Sequence, residues 1–260
     1  MQPESRFDNR AVYYHRSRPR YPRRLIDLLA AEVGLTSAAI IADFGCGTGL
    51  SSEPFLEIGA VVYGIEPSRA MREIAAEMYG SRPNFQVSDG TAEASGLPDQ
   101  SVDLVIAGQA FHWFHPERAR DEVRRIARPD GWAILFWNSR VGDSPFLRAY
   151  NALVSRFDQD GTEKLNKGSA AEEQGQLARF FGTEYRSARL ANPQTMDFDT
   201  LCDRLRSASY LPLPGMPGYD EMMTEARAIF EAHAKQGTVT LDYCVEVYWQ
   251  AVRKLSPSAG

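Results

Sequence analysis

The sequence has few cysteines and no long apolar run. Its 260 residues include only three cysteines, Cys46, Cys202 and Cys244, which lie far apart and form neither a CxxC pair nor an even set. This spacing predicts a reducing, cytoplasmic setting without a disulfide framework or a structural zinc site. No apolar run approaches the length of about 20 residues that spans a bilayer, and the N-terminus is polar, so we expect neither export nor membrane insertion.

The chain also lacks an excess of positive charge. It has 34 acidic and 29 basic side chains and a net charge of -5, a balance that argues against a general nucleic-acid binder. Its four histidines form no H-x-x-x-H or H-E-x-x-H arrangement, so no metal site is expected. A composition with 43% hydrophobic residues is typical of a globular protein. We expect a single domain over residues 1–260.

The order of the predicted elements indicates an α/β fold. Short β-branched runs alternate with amphipathic segments, which is the pattern of βαβ units around a parallel sheet. Strands are expected at 40–44, 61–66, 85–87, 102–107 and 132–137, and helices at 22–32, 51–58, 68–79 and 116–127. After residue 137 we expect an interrupted helix over 145–181, strands at 185–190 and 238–249, a proline-rich loop at 209–218 and a disordered tail.

The stretch I-I-A-D-F-G-C-G-T-G at residues 40–49 predicts a ligand-binding loop. Glycines at 45, 47 and 49 allow positive φ and place no Cβ between the chain and a ligand, which suits a nucleoside-bearing cofactor. The spacing does not complete the G-x-G-x-x-G fingerprint of dinucleotide sites. Glu66 ends the second expected strand and is placed to accept hydrogen bonds from ribose hydroxyls, which any ribose-bearing cofactor would offer.

Four motifs together resemble a known family. They are D-F-G-C-G-T-G, then Glu66, then G-T-A-E-A-S-G-L-P-D-Q-S-V-D, and then A-G-Q-A-F-H-W-F. In this order they are similar to the class I S-adenosylmethionine-dependent methyltransferases, and more closely to the small-molecule branch called type 11. The resemblance implies a doubly wound, mostly parallel sheet of seven strands with helices on both faces and one antiparallel strand near the C-terminus. It implies S-adenosylmethionine as cofactor and S-adenosylhomocysteine as product.

The resemblance also implies which residues hold the cofactor. Asp43 and the loop from Gly45 to Gly49 would hold the methionine portion, and Gln109 would lie beside the transferring methyl. The remaining cofactor residues implied in this way are Cys46, Gly47, Glu66, Pro67, Ser68, Thr91, Ala92 and Glu93. Many relatives carry Asp at the position of Thr91, so another group would meet the adenine amino group. We interpret Cys46 as a small filler between glycines, since no general base is evident beside it.

Two segments are expected to cover the site. Residues 1–24 interleave arginines with aromatics, which predicts a lid in which Tyr14 covers the sulfonium and Arg18 approaches the cofactor carboxylate. The same composition occurs in nucleic-acid binders, a reading that the acidic chain disfavours. Residues 138–184 are expected to form a helical insertion over the acceptor site.

The acceptor pocket is expected at the carboxyl ends of the fourth and fifth strands. Its expected lining residues are His112, Trp113, Trp137 and Tyr210. His112 is the candidate catalytic base, and the alternative is that it only caps the strand end or hydrogen-bonds the substrate.

The predicted reaction is transfer of a methyl group to an oxygen or nitrogen atom of a small-molecule acceptor. One alternative is a regulatory protein that binds S-adenosylmethionine without turnover, and a less favoured one is a nicotinamide-dependent oxidoreductase. The sequence indicates neither the acceptor nor the oligomeric state.

Overall fold

A computed structural model describes residues 10–159, 161 and 170–256. The first nine residues of the predicted lid, residues 160 and 162–169 of the predicted insertion, and residues 257–260 of the predicted tail lie outside the described residues. No helix in the described part is long and apolar enough to cross a membrane.

The described residues form nine strands and nine α-helices. The strands are β1 Ile40–Phe44, β2 Val61–Ile65, β3 Phe85–Ser88, β4 Val102–Gly108, β5 Ala127–Arg140, β6 Arg186–Ala191, β7 Gln194–Met196, β8 Val239–Leu241 and β9 Tyr243–Ala251. The helices are α1 Ala11–Ser17, α2 Arg23–Val33, α3 Glu53–Glu57, α4 Arg69–Tyr79, α5 Pro116–Ile126, α6 Pro145–Phe157, α7 Ala170–Phe181, α8 Phe198–Arg206 and α9 Tyr219–His233.

Seven strands form the central sheet, in the order β3-β2-β1-β4-β5-β9-β6. The first five of these run parallel, and β9 lies antiparallel between β5 and β6. Separate apolar clusters cover the two faces, one with Leu29 and Phe136 beneath α2 and the other with Leu135 and Val123 beneath α5. The predicted fold class is therefore confirmed, including the single antiparallel strand.

Two strand predictions differ from the structure in their bounds. β5 begins at Ala127 and not at residue 132 as expected. The residues between these positions fall in an irregularity between the pairs Val102 to Ala127 and Leu104 to Trp132. The single strand expected over 238–249 is divided at Asp242, and β8 pairs with β7 in a separate two-stranded ribbon.

A third apolar cluster lies beyond the carboxyl edge of the sheet. It joins α6, the β7–β8 ribbon, α8 and α9 through buried side chains that include Leu153, Leu205, Met222 and Leu241. We call residues 145–157 and 194–241 the cap. Most of the cap comes from residues 194–241, where the sequence predicts only a proline-rich loop at 209–218 and the start of a strand at 238.

The predicted insertion over 138–184 does not form one body. Its first helix, α6, packs into the cap, whereas α7 places Leu177, Phe180 and Phe181 in the cluster on one face of the sheet. The second half of this segment therefore belongs to the helical layer over the sheet, beside α5.

Candidate active site

The glycine loop after β1 has three residues in the left-handed region. Gly45, Gly47 and Gly49 have φ of +63, +56 and +86°. A Cβ at Gly45 would lie 2.6 Å from the Cβ of Ala110, and one at Gly49 would lie 2.7 Å from the ring of Tyr79, whereas a Cβ at Gly47 would meet nothing within 4 Å. Gly45 and Gly49 thus lack side chains because neighbouring residues fill the space. Gly47 instead faces open space, where a ligand could approach the backbone.

These surroundings lead to a prediction for Gly47→Ala. We expect this variant to lose cofactor affinity by about tenfold or more, because the new methyl group occupies the open space, at a stability cost of only about 1 kcal/mol from the left-handed backbone. Gly49→Ala should instead lower the melting temperature further, because its Cβ collides with Tyr79. Calorimetric titration and thermal unfolding of both variants test this difference, and equal losses of stability would contradict it.

Glu66 follows β2 and connects the loop to the next helix. Its side chain is 7% exposed. One carboxylate oxygen accepts the N–H of Gly47 at 2.9 Å and the other accepts the N–H of Ser68 at 2.9 Å. Ser68 in turn caps α4, since its hydroxyl accepts the N–H of Met71. Glu66 is therefore held in a fixed orientation at the carboxyl edge of the sheet, beside the open side of Gly47.

Asp43 lies fully buried in β1, directly before the loop. Its Oδ2 accepts hydrogen bonds from Ser51 at 2.7 Å and Ser52 at 2.6 Å, and its Oδ1 is buried without a partner. Burial raises the pKa of Asp43 from 3.8 to about 7; the two serine bonds oppose this rise and the charge of Glu66 adds to it. An unpartnered buried carboxylate oxygen is costly, and a cationic donor such as an ammonium group would satisfy it.

The residues predicted at the adenine edge form a tight turn. Ala92 is buried, and the Thr91 hydroxyl accepts the N–H of Glu93 at 3.3 Å. The Glu93 carboxylate accepts the N–H of His115, the residue that precedes α5. Pro67 precedes Ser68 at the start of α4, and its carbonyl accepts from Arg72. The roles of these residues toward adenine remain predictions.

Cys46 is buried beneath the loop and packs against β2. A Cβ added at Gly64 would lie 2.7 Å from its sulfur, and burial raises the pKa of the thiol well above its usual range. This environment agrees with a small filler and gives no activated thiolate.

Gln109 follows β4 in a strained conformation. Its φ is +58°, which is unusual for a residue with a side chain. Its backbone N–H donates to the Phe136 carbonyl, and its side-chain amide donates to the Asn138 carbonyl at 3.1 Å. These bonds to β5 hold the strained residue at the sheet edge, where strain of this kind is often part of a functional site.

His112 and Trp113 lie together in the 3-10 turn Phe111–Trp113, with ring centroids 4.9 Å apart. Trp113 is 43% exposed, and His112 is also reached by solvent. Burial among neighbouring protein atoms nevertheless lowers the pKa of His112 to about 4. Exposure to water and close surroundings occur together in a residue that lines a cleft. Its imidazole is therefore neutral at pH 7 and a weak proton acceptor.

The other two predicted pocket residues, Trp137 and Tyr210, contact β9 and the cap, respectively. Trp137 stacks on Tyr248 with ring centroids 4.9 Å apart, and its indole N–H donates to Glu246 at 3.0 Å. Tyr210 packs against the apolar cluster of the cap. Their place in one pocket with His112 stays a prediction.

The N-terminal segment contacts the glycine loop through His15, a residue that the sequence analysis did not single out. His15 of α1 is 6% exposed, and its Nδ1 lies 3.2 Å from the hydroxyl of Thr48, between the loop glycines. Arg20 pairs with Glu53 at 2.9 Å beside it. His15 stood within the aromatic and arginine-rich segment, but nothing in the spacing indicated its distant partner.

The same segment also contacts the cap. The Arg10 guanidinium donates to the carbonyls of Ala208 and Leu211 after α8, the latter at 2.8 Å. Of the two predicted lid residues, Arg18 stacks over the ring of Tyr14 with its Cζ 4.7 Å from the centroid. The helix α1 thus connects the cap to the glycine loop.

A cavity of about 780 Å³ lies far from these residues. It is lined by parts of residues 33–39, 100–104 and 128–132, at the amino ends of β1 and β4. Open α/β sheets bind ligands at the carboxyl ends of their strands. The polar side chains of the glycine loop, and not this cavity, therefore mark the candidate active site.

The strand order, the glycine loop after β1 and the carboxylate after β2 together define a class I S-adenosylmethionine-dependent methyltransferase fold. Residues 42–135 match the family model of the type 11 methyltransferase domain, which identifies a methyltransferase domain in this part of the chain. The cofactor is S-adenosylmethionine. Asp43, Gly47 and Glu66 fit it, because they offer an unpartnered buried carboxylate oxygen, an open backbone and an oriented second carboxylate.

Known proteins similar to the chain agree with this family. An uncharacterized methyltransferase-like protein of Schizosaccharomyces pombe is 32% identical over 153 residues, which cover 56% of this chain and 57% of that protein. CRG1 of Saccharomyces cerevisiae, assigned as an S-adenosylmethionine-dependent methyltransferase, is 33% identical over 135 residues, or 49% of this chain and 44% of that protein. The chain spans about half the length of these curated relatives.

A solved structure agrees with the fold over nearly the whole chain. It is a protein of Anaeromyxobacter dehalogenans assigned as a type II methyltransferase, with a TM-score of 0.65 and 24% identity, covering 90% of this chain and 98% of that one. At this identity the likeness concerns the fold alone.

Proposed function

We propose that the protein transfers the methyl group of S-adenosylmethionine to an oxygen or nitrogen atom of a small-molecule acceptor. The observation that carries the proposal is the unpartnered Oδ1 of Asp43, a residue fully buried in β1 shortly before the glycine loop. A cationic ligand would satisfy this oxygen. The α-ammonium of the cofactor is such a ligand.

The residues of the site act by binding and orienting. Asp43 and the loop backbone would hold the methionine portion, and Glu66, oriented by the N–H groups of Gly47 and Ser68, would accept the ribose hydroxyls. The bound cofactor supplies an electrophilic methyl group on its sulfonium sulfur. Gln109 lies at the end of β4, where the acceptor would be aligned with that methyl. Alignment and exclusion of water are the main contributions of a protein to such a displacement.

The position of the cap and of α1 supports a small acceptor, and the cysteines support a reducing compartment. The cap and α1 lie over the carboxyl edge of the sheet. The bond between His15 and Thr48 holds helix α1 over the glycine loop. The net charge of -5 disfavours a nucleic-acid acceptor. All three cysteines are buried free thiols, which favours the cytoplasm.

His112 is proposed to orient the acceptor and not to remove its proton. We expect His112→Gln to keep turnover within about threefold of the native value with an unchanged pH profile, because the group with a pKa of about 4 is a weak base. Steady-state rates between pH 6 and 9 test this. A loss of about 100-fold or more, together with loss of the fall in rate at low pH, would assign the base role to His112.

Two measurements test the proposed function. Calorimetric titration with S-adenosylmethionine, S-adenosylhomocysteine and NADH should show binding of the first two only. Conversion of S-adenosylmethionine to S-adenosylhomocysteine with a panel of small acceptors should then separate an enzyme from a binding protein without turnover. Tight binding of NADH alone would overturn the proposal in favour of an oxidoreductase.

A further inference from the structure

A buried arginine of the cap lacks a partner for one of its donors. Arg204 of α8 is 3% exposed. Its Nη1 donates to the hydroxyl of Tyr243 at 2.8 Å and its Nη2 donates to the side-chain carbonyl of Gln194. Its Nε is buried without a partner. A buried cationic group with an unused donor is the kind of feature that a ligand completes.

Arg18, which follows α1, has the same deficiency. Its guanidinium stacks on Tyr14, and its Nε is also buried without a partner. Arg18 and Arg140 are both close enough to lower the pKa of Arg204, although burial is the larger cause of that shift. Gln194, which accepts from Arg204, also donates to the carbonyl of Ser17 at 3.0 Å, so the chain at Arg18 lies beside a partner of Arg204.

Arg206 shows the kind of carboxylate partner that Arg204 and Arg18 lack among the described residues. Arg206, two residues further along the chain, pairs with Asp203 at 3.0 Å and donates to the hydroxyl of Tyr219 at 2.9 Å. Within the described residues, neither Arg18 nor Arg204 forms an ion pair of this kind. In a chain with more acidic than basic side chains, the buried Arg204 and the half-buried Arg18, both without carboxylate partners, indicate an anion from outside the chain.

The cluster lies close to the place where the methyl group would be transferred. Gln109 donates to the carbonyl of Asn138, and Arg140 is two residues further along β5, or about 7 Å at the rise of a strand. Arg140 lies directly opposite Tyr243 in the register of β5 and β9, and Tyr243 accepts from Arg204. These contacts connect Gln109 to Arg204 through β5 and β9.

We propose that the methyl acceptor is a small oxyanion, a carboxylate or phosphate ester, that binds Arg204 and Arg18 while its nucleophilic atom lies beside Gln109. The inference rests on the proposed function and names its substrate class. The planar guanidinium groups suit the two oxygens of a carboxylate or phosphate.

The transfer step is a balanced displacement. A lone pair of the acceptor oxygen or nitrogen forms the new bond to the methyl carbon while the sulfur–carbon bond breaks, and its electron pair stays on sulfur as the thioether of S-adenosylhomocysteine. A hydroxyl or amine nucleophile would also release one proton to the solvent, whereas a carboxylate nucleophile would release none. The anionic group bound by the arginines would be unchanged.

Binding measurements with defined probes test the substrate class. Malonate, succinate, glutarate, adipate and glycerol phosphate are titrated into the native protein saturated with S-adenosylhomocysteine, together with the diamides of the four acids. Methyl transfer to the same compounds is measured with S-adenosylmethionine. The variants are Arg204→Lys, which keeps the charge and removes the fork, and Arg18→Gln. Arg227→Gln is the matched control, since Arg227 stacks on Phe198 on the exposed side of α9.

We expect at least one anion to bind about tenfold or more tightly than its neutral counterpart. Arg204→Lys and Arg18→Gln should each weaken that binding by about tenfold or more. Arg204→Lys should leave the affinity for S-adenosylhomocysteine within about twofold, and Arg227→Gln should change neither. Carboxylates alone or glycerol phosphate alone would identify the source of the oxyanion.

Three outcomes would overturn the inference. They are binding of no anion by a protein that binds S-adenosylhomocysteine, equal binding of acids and diamides, and unchanged anion binding in Arg18→Gln. The last result remains decisive if Arg204→Lys fails to fold, because Arg18 is only half buried. A shift in the affinity for S-adenosylhomocysteine alone in Arg18→Gln would assign that residue to the cofactor. Failure of the native protein to bind S-adenosylhomocysteine would instead contradict the proposed function itself.

Discussion

Replacement of Glu66 by alanine is expected to weaken the binding of S-adenosylmethionine by about 100-fold or more. The carboxylate holds the N–H groups of Gly47 and Ser68, both at 2.9 Å. Hydrogen bonds to a charged group contribute about 1.5–3 kcal/mol each, and about 2.7 kcal/mol corresponds to a factor of 100. The variant loses the ribose contact and also the bond that orients the open part of the loop.

Glu73→Ala is the matched control for this experiment. Glu73 lies exposed on α4 and pairs with Arg69 at 2.7 Å, so its loss removes the same charge without touching the loop. Calorimetry with S-adenosylmethionine and with S-adenosylhomocysteine should show a large change for Glu66→Ala and a change below about threefold for Glu73→Ala. Unaltered affinity in Glu66→Ala would remove the basis of the proposed cofactor site.

Asp43→Asn is expected to change how both stability and affinity depend on pH. The pKa of Asp43 rises from 3.8 to about 7 in the folded protein because the group is buried. The protonated form is therefore favoured in the folded state. Its contribution to the free energy of unfolding is fully present below pH 4 and is lost as the pH rises through 7, by about 4 kcal/mol. The native protein without cofactor should lose this stability relative to Asp43→Asn between pH 4 and 7, as denaturant titrations would show.

Affinity should change in the opposite direction. If the ammonium group of the cofactor binds ionised Asp43, the affinity of the native protein should fall by about tenfold for each pH unit below 7. The affinity of Asp43→Asn should stay flat and lie about tenfold or more below the native value at pH 8. Asp27→Asn is the control, since Asp27 is exposed and pairs with Arg23 on α2. An equal pH dependence in the native protein and in Asp43→Asn would show that Asp43 does not bind the ammonium.

The central sheet could be predicted because its signals are local. Each of the first five strands is a short β-branched run, and the loop glycines and Glu66 follow directly after strand ends, where chain position alone sets their place in the sheet. The cap also carried local signals that were not used. Met222, Ala226 and Phe230 repeat at helical spacing in α9, and Asp197 caps α8 by accepting the N–H of Thr200.

Contacts between distant segments could not be predicted in this way. The bond from His15 to Thr48 and that from Arg204 to Tyr243 join residues 33 and 39 positions apart. Trp137 shows the same limit, because its place beside Tyr248 depends on how β9 pairs with β5. In each case the residue type was informative and the partner was set by packing.

The position of β9 has a consequence for synthesis on the ribosome. Among the described residues β6 pairs only with β9, and β9 begins at Tyr243, about 50 residues after β6 ends at Ala191. At about 5–20 residues per second, this edge of the nascent sheet waits roughly 3–10 seconds for its partner. During that interval β5 and β6 both expose backbone groups, and chaperones that shield unpaired strands should therefore raise the yield of this protein.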